Sequence, residues 1–319
     1  MRPSICWCGG RGKMGARSDE HRKAAVRAIF HWYRRHGRTL PWRDIRNPYR
    51  ILVAEIMLHQ TQVSRVLQIF PRFLRRFPSL RALATGPQAE VVIAWRGMGY
   101  NNRAVRIHRL ARQLCAYHGG KLPRTIRECL LLPGIGKYTA HALLVSVYRM
   151  NLPVVDVNIR RVFSRLFWRM KTTADLRPEK EVWALATTLV PRARGYDWTQ
   201  ALMDLGATVC IARVPKCPSC PIADLCCSRT AMKQSAGAVV RREPSFAGIP
   251  TRIYRGRIVE ALRSSRAGLT MRQIGSGMVV NFSGIRMPWL RNLIRALERD
   301  GLVRVRGNLN RAGARILLA

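Results

Sequence analysis

Five of the chain's nine cysteines crowd into one stretch, CIARVPKCPSCPIADLCCS, at positions 210–228. No other feature restricts the fold as tightly, because thiols this close in sequence must gather around one object or pair with one another. Cys210, Cys217, Cys220 and Cys226 read C-x6-C-x2-C-x5-C. Four soft thiolates on a short loop suit a [4Fe–4S] cluster or a tetrahedral zinc ion, and spacing alone does not choose between them. Disulfides are the weaker reading. The opening residues MRPSICWCGGRGKMGARSDE contain no apolar targeting segment, and clustered cysteines in a cytosolic chain hold metal more often than they cross-link. Cys227 duplicates Cys226 and leaves the fourth ligand open by one residue. Cys6 and Cys8 lie in the opening arm and read as free thiols.

Charge names the class of partner. There are 57 Lys and Arg against 17 Asp and Glu, a formal +40 in 319 residues. Each phosphate neutralised by such a surface releases counterions, so the expected partner is a polyanion. A generally adhesive basic protein is the plainer alternative, and a membrane surface a weaker one. No apolar run approaches the roughly 20 residues of a spanning helix. The expectation is therefore a monomeric, cytoplasmic, nucleoid-associated protein with no membrane partner.

Residues 1–20 are rich in Gly and Arg and read as a disordered basic arm. From 21 to 229 the pattern is helical. HRKAAVRAIFHWYRRHG closes on Gly37, and PYRILVAEIMLHQTQVSRVLQIFPRFLRRFP spaces its apolar residues by three and four over two helices. NNRAVRIHRLARQLCAYHGG ends on a Gly-Gly stop, and alternating strand patterns are scarce, so the class is all-α. Residues 230–250 turn polar, with Gly and Pro, and read as a linker. Residues 251–319 give helix, turn, helix and a short hairpin, the order of a small winged-helix-like α+β domain. From Arg241 onward sixteen arginines face four acids, which makes this tail a candidate second DNA-contacting module.

Three segments carry chemistry. In LLPGIGKYTAHALLVSV, Leu-Pro ends one helix, Gly134 and Gly136 flank a tight turn and Lys137 opens the next helix. Glycines let backbone N–H groups approach a phosphate, and a helix N-terminus favours that anion. The segment reads as a helix-hairpin-helix gripping a DNA backbone, with an ordinary helical corner as the plainer alternative. In PVVDVNIRRVFSRLF, Asp156 stands just before an amphipathic helix. It is placed to cap that helix, and a carboxylate held near a sugar also stabilises an oxocarbenium-like transition state. Asn158 is placed to orient it. In ILVAEIMLHQTQV, Glu55 lies in an apolar helical stretch, where desolvation favours the protonated form and general-acid work. A buried pair with an arginine is the alternative there.

LPGIGKYTA, then VVDVN, then the cysteine spacing resemble the helix-hairpin-helix DNA glycosylase superfamily of endonuclease III and MutY, over roughly residues 25–229. The resemblance implies a two-lobed all-α glycosylase fold whose cysteine loop, 210–226, carries a [4Fe–4S] cluster rather than zinc. TLPWRDIRNPYRILVAEIMLHQTQV is similar to the MutY adenine glycosylases, as is QALMDLGATVC before the loop. The MutY motifs place the catalytic Glu on Glu55, the catalytic Asp on Asp156 and the Asn that follows it on Asn158. GMGYNNRA resembles the MutY segment whose Tyr wedges into the duplex, here Tyr100, and Gln60 matches a residue that inserts into the base stack. Endonuclease III carries a Schiff-base Lys where this chain has Tyr138, while Lys137 matches a basic residue one place earlier. A phenol in place of an amine removes the usual covalent route to strand cleavage, so the resemblance implies a monofunctional enzyme. The cluster loop brings Arg213 and Lys216 towards phosphates.

The expectation is thus a base-excision glycosylase acting on double-stranded DNA with a lesion or mismatch, removing adenine opposite 8-oxoguanine or guanine. Two departures bear on the base. The tail is a basic winged helix where MutY proteins carry a Nudix-like domain, and His59 stands where MutY usually has Gln. Hypoxanthine, mismatched thymine or uracil, or a modified base are the alternatives within this chemistry. A non-catalytic DNA-binding protein on the same scaffold is the alternative outside it.

Overall fold

The computed structural model describes residues 19–170, 172, 175–231, 243–279, 282, 286–311 and 313–319. The arm through residue 18, with Cys6 and Cys8, and residues 232–242 of the expected linker lie outside these. In chain order the helices are α1 (Asp19–His36), α2 (Pro48–Leu58), α3 (Val63–Arg76), α4 (Leu80–Thr85), α5 (Gln88–Ala94), α6 (Asn102–Tyr117), α7 (Ile126–Leu130), α8 (Lys137–Tyr148), α9 (Val157–Phe167), α10 (Glu179–Leu189) and α11 (Gly195–Thr208). The expected all-α body is present. It divides into two units, Met1–Asp44 with Gly136–Val240 and Ile45–Ile135 with Arg241–Ala319.

In the first unit α9 is the central helix. Its Ile159, Val162, Phe163 and Leu166 are buried with Ile29 and Phe30 of α1, Trp183 of α10 and Trp198 and Leu205 of α11. Gly206 permits the close approach of α9 to α11, since a Cβ there would lie 2.8 Å from Asn158 Cβ. The α11 helix is bolted by a buried ion pair. Asp204 is fully buried and takes two bonds from Arg43, at 2.7 and 2.8 Å, and two from Arg38, one from its amide and one from its guanidinium. The α1 helix begins at Asp19, so the last residues assigned to the arm are helical; Asp19 and Glu20 in its first turn and Arg34, Arg35 and His36 in its last suit the helix dipole.

The second unit builds on α2. Asn47 caps it by accepting from the Arg50 amide at 3.1 Å, and Pro48 at N1 gives up an amide that would be unpaired anyway. Leu52, Val53 and Met57 are fully buried. Phe73 of α3 meets Trp95 edge-on at 5.6 Å, just past the end of α5.

The same unit contains the expected winged helix. After α12 (Thr251–Arg263) come β3 (Leu269–Thr270), α13 (Met271–Met278), α14 (Met287–Arg299), β4 (Val303–Arg306) and β5 (Arg315–Leu318). The three strands pair antiparallel in the order β3-β5-β4. Thr270 opens α13 with a reciprocal capping box to Gln273. Residues 243–250, read as linker, include a short hairpin of β1 (Ser245–Phe246) and β2 (Ile249–Pro250). Phe246 stacks on Trp289 of α14 at 4.1 Å, so apolar contact draws this end of the linker into the domain. Among the described residues no helix is long and apolar enough to cross a membrane.

Candidate active site and nucleic-acid interface

Asp156 occupies the N-cap of α9. Its Oδ1 accepts from the Ile159 amide at 2.6 Å and its Oδ2 from Asn158 Nδ2 at 2.8 Å. Both expected roles, cap and oriented carboxylate, therefore have their geometry. Burial is the largest influence on this carboxyl and pushes it above the usual aspartate range; the bonds from Ile159 and Asn158 and the charge of Arg161 pull it back. Asn158 is fixed in turn. Its Oδ1 accepts from Arg161 Nη2 at 3.0 Å, and the same guanidinium donates to the carbonyls of Gly206 at 2.7 Å and Cys210 at 2.9 Å. One turn on, Arg165 donates to the carbonyls of Ile211 and Ala212 and approaches Cys210 Sγ at 3.4 Å. Two buried arginines on α9 thus tie the start of the cysteine loop to the helix that Asp156 caps.

Cys210, Cys217, Cys220 and Cys226 line one cavity, with Arg165 and Ile222 among its walls. Cys227 does not line it; it is buried, and its amide donates to the Leu166 carbonyl at 3.3 Å. Burial pushes the Cys220 thiol up to about 11 and the Cys226 thiol up to about 12, so drawing these sulfurs into the thiolate form needs a cationic centre among them. Four thiols around one cavity form a donor set that fits a thiolate-held metal centre, a [4Fe–4S] cluster among them. Arg213 and Lys216 of the loop are exposed.

The division between the two units falls inside the expected hairpin, between Ile135 and Gly136. Gly134 has φ +81°, and a Cβ there would press on the Arg106 side chain at 3.3 Å. Gly136 caps α8 with φ −98°, a conformation open to any residue, and a Cβ there would meet nothing within 4 Å. Among the described residues nothing crowds position 136, so the backbone there is open to close approach from outside. Lys137 sets its ammonium over the Trp183 ring at 4.1 Å. Tyr138 is half-buried against the cluster of Ala142, Val145 and Val154.

In the second unit Glu55 lies one turn before the end of α2. Its side chain is 12% exposed, and its Oε1 is buried and has no hydrogen-bond partner among the described residues. Its neighbour in charge is His59, with Nε2 at 3.6 Å, not an arginine. The helix ends there, and Gln60 takes a left-handed φ of 54°. Tyr100 does the same at 43° and is 56% exposed. Non-glycine residues hold such backbone only when their surroundings impose it, and here one side chain serves both. Arg103 is buried. Its Nη1 donates to the carbonyls of Ile56, Met57 and His59 at 2.6–3.0 Å, and its Nη2 to Thr61 Oγ1 and the carbonyls of Met98 and Gly99 at 2.8–3.2 Å.

Comparison with known proteins fits this arrangement. Residues 53–187 match the family model described as HhH-GPD superfamily base excision DNA repair protein. The adenine DNA glycosylase of Mycobacterium tuberculosis (strain ATCC 25618 / H37Rv) is 39% identical over 249 residues, 77% of this chain and 81% of that protein. This chain belongs to the HhH-GPD superfamily of base excision DNA repair proteins. Within the superfamily, a solved thermostable thymine-DNA glycosylase superposes with a TM-score of 0.62 at 32% identity, covering 66% of this chain and 97% of that one. An endonuclease III in a non-covalent DNA complex shares the fold, with a TM-score of 0.58 at 23% identity over 66% of this chain and 96% of that one.

Sequence reasoning passed over Arg103, Arg161, Arg165 and Asp204. For two of them a signal was present: Arg161 and Arg165 fall four apart on the face of α9 that is otherwise buried and apolar. Arg103 and Asp204 sit in helical runs that give no sign of the distant carbonyls and guanidinia they meet.

Proposed function

We propose that this base-excision glycosylase hydrolyses the N-glycosidic bond of adenine mispaired with 8-oxoguanine or guanine. It acts as a monomer on double-stranded DNA, in the cytoplasm at the nucleoid. The observation that carries the catalytic reading is the buried Oε1 of Glu55, which among the described residues has no hydrogen-bond partner and only His59 Nε2, at 3.6 Å, near it in charge. A carboxyl oxygen desolvated without a hydrogen bond is costly, and a proton shared with a leaving base supplies that bond. Adenine is favoured by the identity to adenine DNA glycosylases, the M. tuberculosis protein at 39% among them.

The roles follow from the chemistry. Gly134, Gly136, Lys137, Arg213 and Lys216 grip the backbone, and the target nucleotide turns out of the stack while Tyr100 and Gln60 fill the gap. Glu55 gives its proton to the base as the C1′–N bond breaks and its electron pair leaves with the base. Asp156, ionised and held by Ile159 and Asn158, stabilises the sugar cation. Water adds at C1′ and returns a proton to Glu55, leaving an abasic site. Tyr138 offers no amine for a Schiff base, which supports a monofunctional enzyme. The four loop cysteines would hold a [4Fe–4S] cluster, which when bound gives the loop its shape and takes no part in the hydrolysis. The basic winged helix adds a second contact to the duplex.

A second reading has its own support: the likeness to a thymine-DNA glycosylase at 32% identity, together with a winged-helix tail, favours thymine or uracil opposite guanine. A panel of duplexes bearing 8-oxoguanine:A, G:A, inosine, G:T and G:U pairs, followed by alkali to reveal abasic sites, separates the two. Adenine release is expected. Release from G:T and G:U alone would establish the second reading, and no release from any duplex, or full activity in Asp156→Asn, would end both. A borohydride-trapped protein–DNA adduct would overturn the monofunctional assignment.

A further inference from the structure

Asn101 stands where α6 should be capped, yet it caps nothing. Asparagine is among the strongest N-cap residues because its side-chain oxygen accepts from first-turn amides. At this N-cap, with φ −58° and ψ −23°, the side chain makes no such bond. Its Oδ1 accepts instead from Arg263 Nη2 at 2.9 Å. Arg263 comes from the last turn of α12, in the winged helix, and its side chain is 3% exposed. The same guanidinium donates through Nε and Nη2 to the Val92 carbonyl at 3.1 and 2.9 Å. Glu260, one turn earlier, bridges Arg263 at 2.8 Å and Arg96 at 2.7 Å. Gln88 Nε2 adds a bond to the Gly301 carbonyl at 2.7 Å.

These bonds close around the segment that presents Tyr100. On its N-terminal side, Arg65 holds the Gly97 carbonyl, Trp95 Nε1 the Gly99 carbonyl, and Arg103 the Met98 and Gly99 carbonyls. On its C-terminal side, the side chain that could anchor the turn is Asn101, and it is engaged by Arg263. Freed from Arg263, Asn101 would turn to cap α6, and Tyr100 would lose one of the constraints that keep it left-handed and exposed.

We infer that Arg263 is a positioning residue for base extrusion, through which the winged helix braces the Tyr100 turn. The inference rests on the insertion role proposed above for Tyr100. The winged helix is then part of the lesion-probing device as well as a source of charge.

The test uses the full chain in four variants: Arg263→Ala, Asn101→Ala, the double variant and Tyr100→Ala. Single-turnover base release is measured on the best duplex of the panel, with 2-aminopurine fluorescence beside the target base and affinity for undamaged duplex as companion readouts. Each brace variant should slow release about tenfold and lower the extrusion fluorescence as Tyr100→Ala does, with undamaged-duplex affinity within about twofold of wild type. The double variant should be no slower than Arg263→Ala alone, because that substitution already removes the Arg263–Asn101 bond. Should Arg263→Ala fail to fold, Asn101→Ala, which leaves the winged helix untouched, carries the test. Release at wild-type rate in Asn101→Ala, or effects that multiply in the double variant, would overturn the brace while the insertion role stands on a slow Tyr100→Ala. An unaltered rate in Tyr100→Ala would overturn both.

Discussion

Arg103 Nη1 meets the His59 carbonyl at 2.6 Å, and through that bond the end of α2, which holds Glu55, is tied to the turn that presents Tyr100. Burial pushes the Arg103 guanidinium down to about 10, yet it stays charged at neutral pH and satisfies five carbonyls and a hydroxyl. Arg103→Leu should therefore lower stability by about 1–3 kcal/mol or more, the range for stranding a buried acceptor, seen as a lower urea midpoint at unchanged slope. Base release should fall in the same variant under conditions where it remains folded.

Asp156→Asn separates the cap from the carboxylate. Asparagine caps helices as well as aspartate does, and its oxygen can still accept from the Ile159 amide. The melting temperature should move little, while single-turnover base release should collapse. Equal losses of stability and activity would mean that Asp156 is a cap alone. The carboxyl must be ionised to face a sugar cation, and burial raises its titration above the usual aspartate range. Activity should therefore fall away on acidification at a higher pH than an exposed aspartate would set, and a profile of single-turnover rate against pH reads this.

Asp204 shifts in the opposite direction, and its effect is on stability. Burial opposes its charge, but the bonds from Arg43 and Arg38 prevail and hold the carboxyl below the usual range. Its contribution is then present in full above the unfolded value of about 3.9 and is lost as pH falls through the lower folded value. Asp204→Asn should cost about 3–5 kcal/mol at neutral pH, because it strands the buried Arg43. It should also flatten the acid limb of stability measured by denaturant melts across pH.

How much of this was legible in the sequence depends on range. The helical body, the Asp156 cap and the cysteine spacing follow from neighbours within a few residues, where propensity and local hydrogen bonding decide. The winged helix was readable from element order, but not the hairpin at 245–250, whose strands are two residues each and are held by Phe246 stacking on Trp289. The fourth loop cysteine was open by one place because spacing says nothing of direction; the fold sets Cys226 against the cavity and buries Cys227 behind it. The Arg103, Arg161 and Arg263 bonds link carbonyls and side chains from distant positions, and no periodicity encodes them.

The two adjacent cysteines make the cluster assignment testable. Cys226→Ser should abolish the broad visible absorbance of an iron–sulfur protein, whereas Cys227→Ser should keep both colour and iron content. Arg161→Gln should leave all four thiols in place but lose bonds to Cys210, Gly206 and Asn158. It should therefore lower iron per chain and slow base release together. A colourless wild-type protein with stoichiometric zinc would overturn the assignment.

The winged helix makes its own prediction about binding. On α14, Asn292, Arg295 and Arg299 are exposed at spacings of three and four, so they share one face. Arg304 and Arg306 on β4 are exposed as well. None of these four arginines forms an ion pair among the described residues, whereas Arg252, Arg255 and Arg263 of α12 are each paired with an acid. Unpaired arginines on a helix face suit phosphates, and each phosphate contact adds about one to the slope of log affinity against log salt. Arg295→Ala and Arg299→Ala should each weaken duplex binding to a similar degree on matched and mismatched DNA and reduce that slope by about one, as read by fluorescence anisotropy over a salt series. A loss confined to mismatched duplex would mean that this face reads the lesion instead of the backbone. An unchanged slope in both variants would remove the winged helix from the DNA contact and leave it the brace alone.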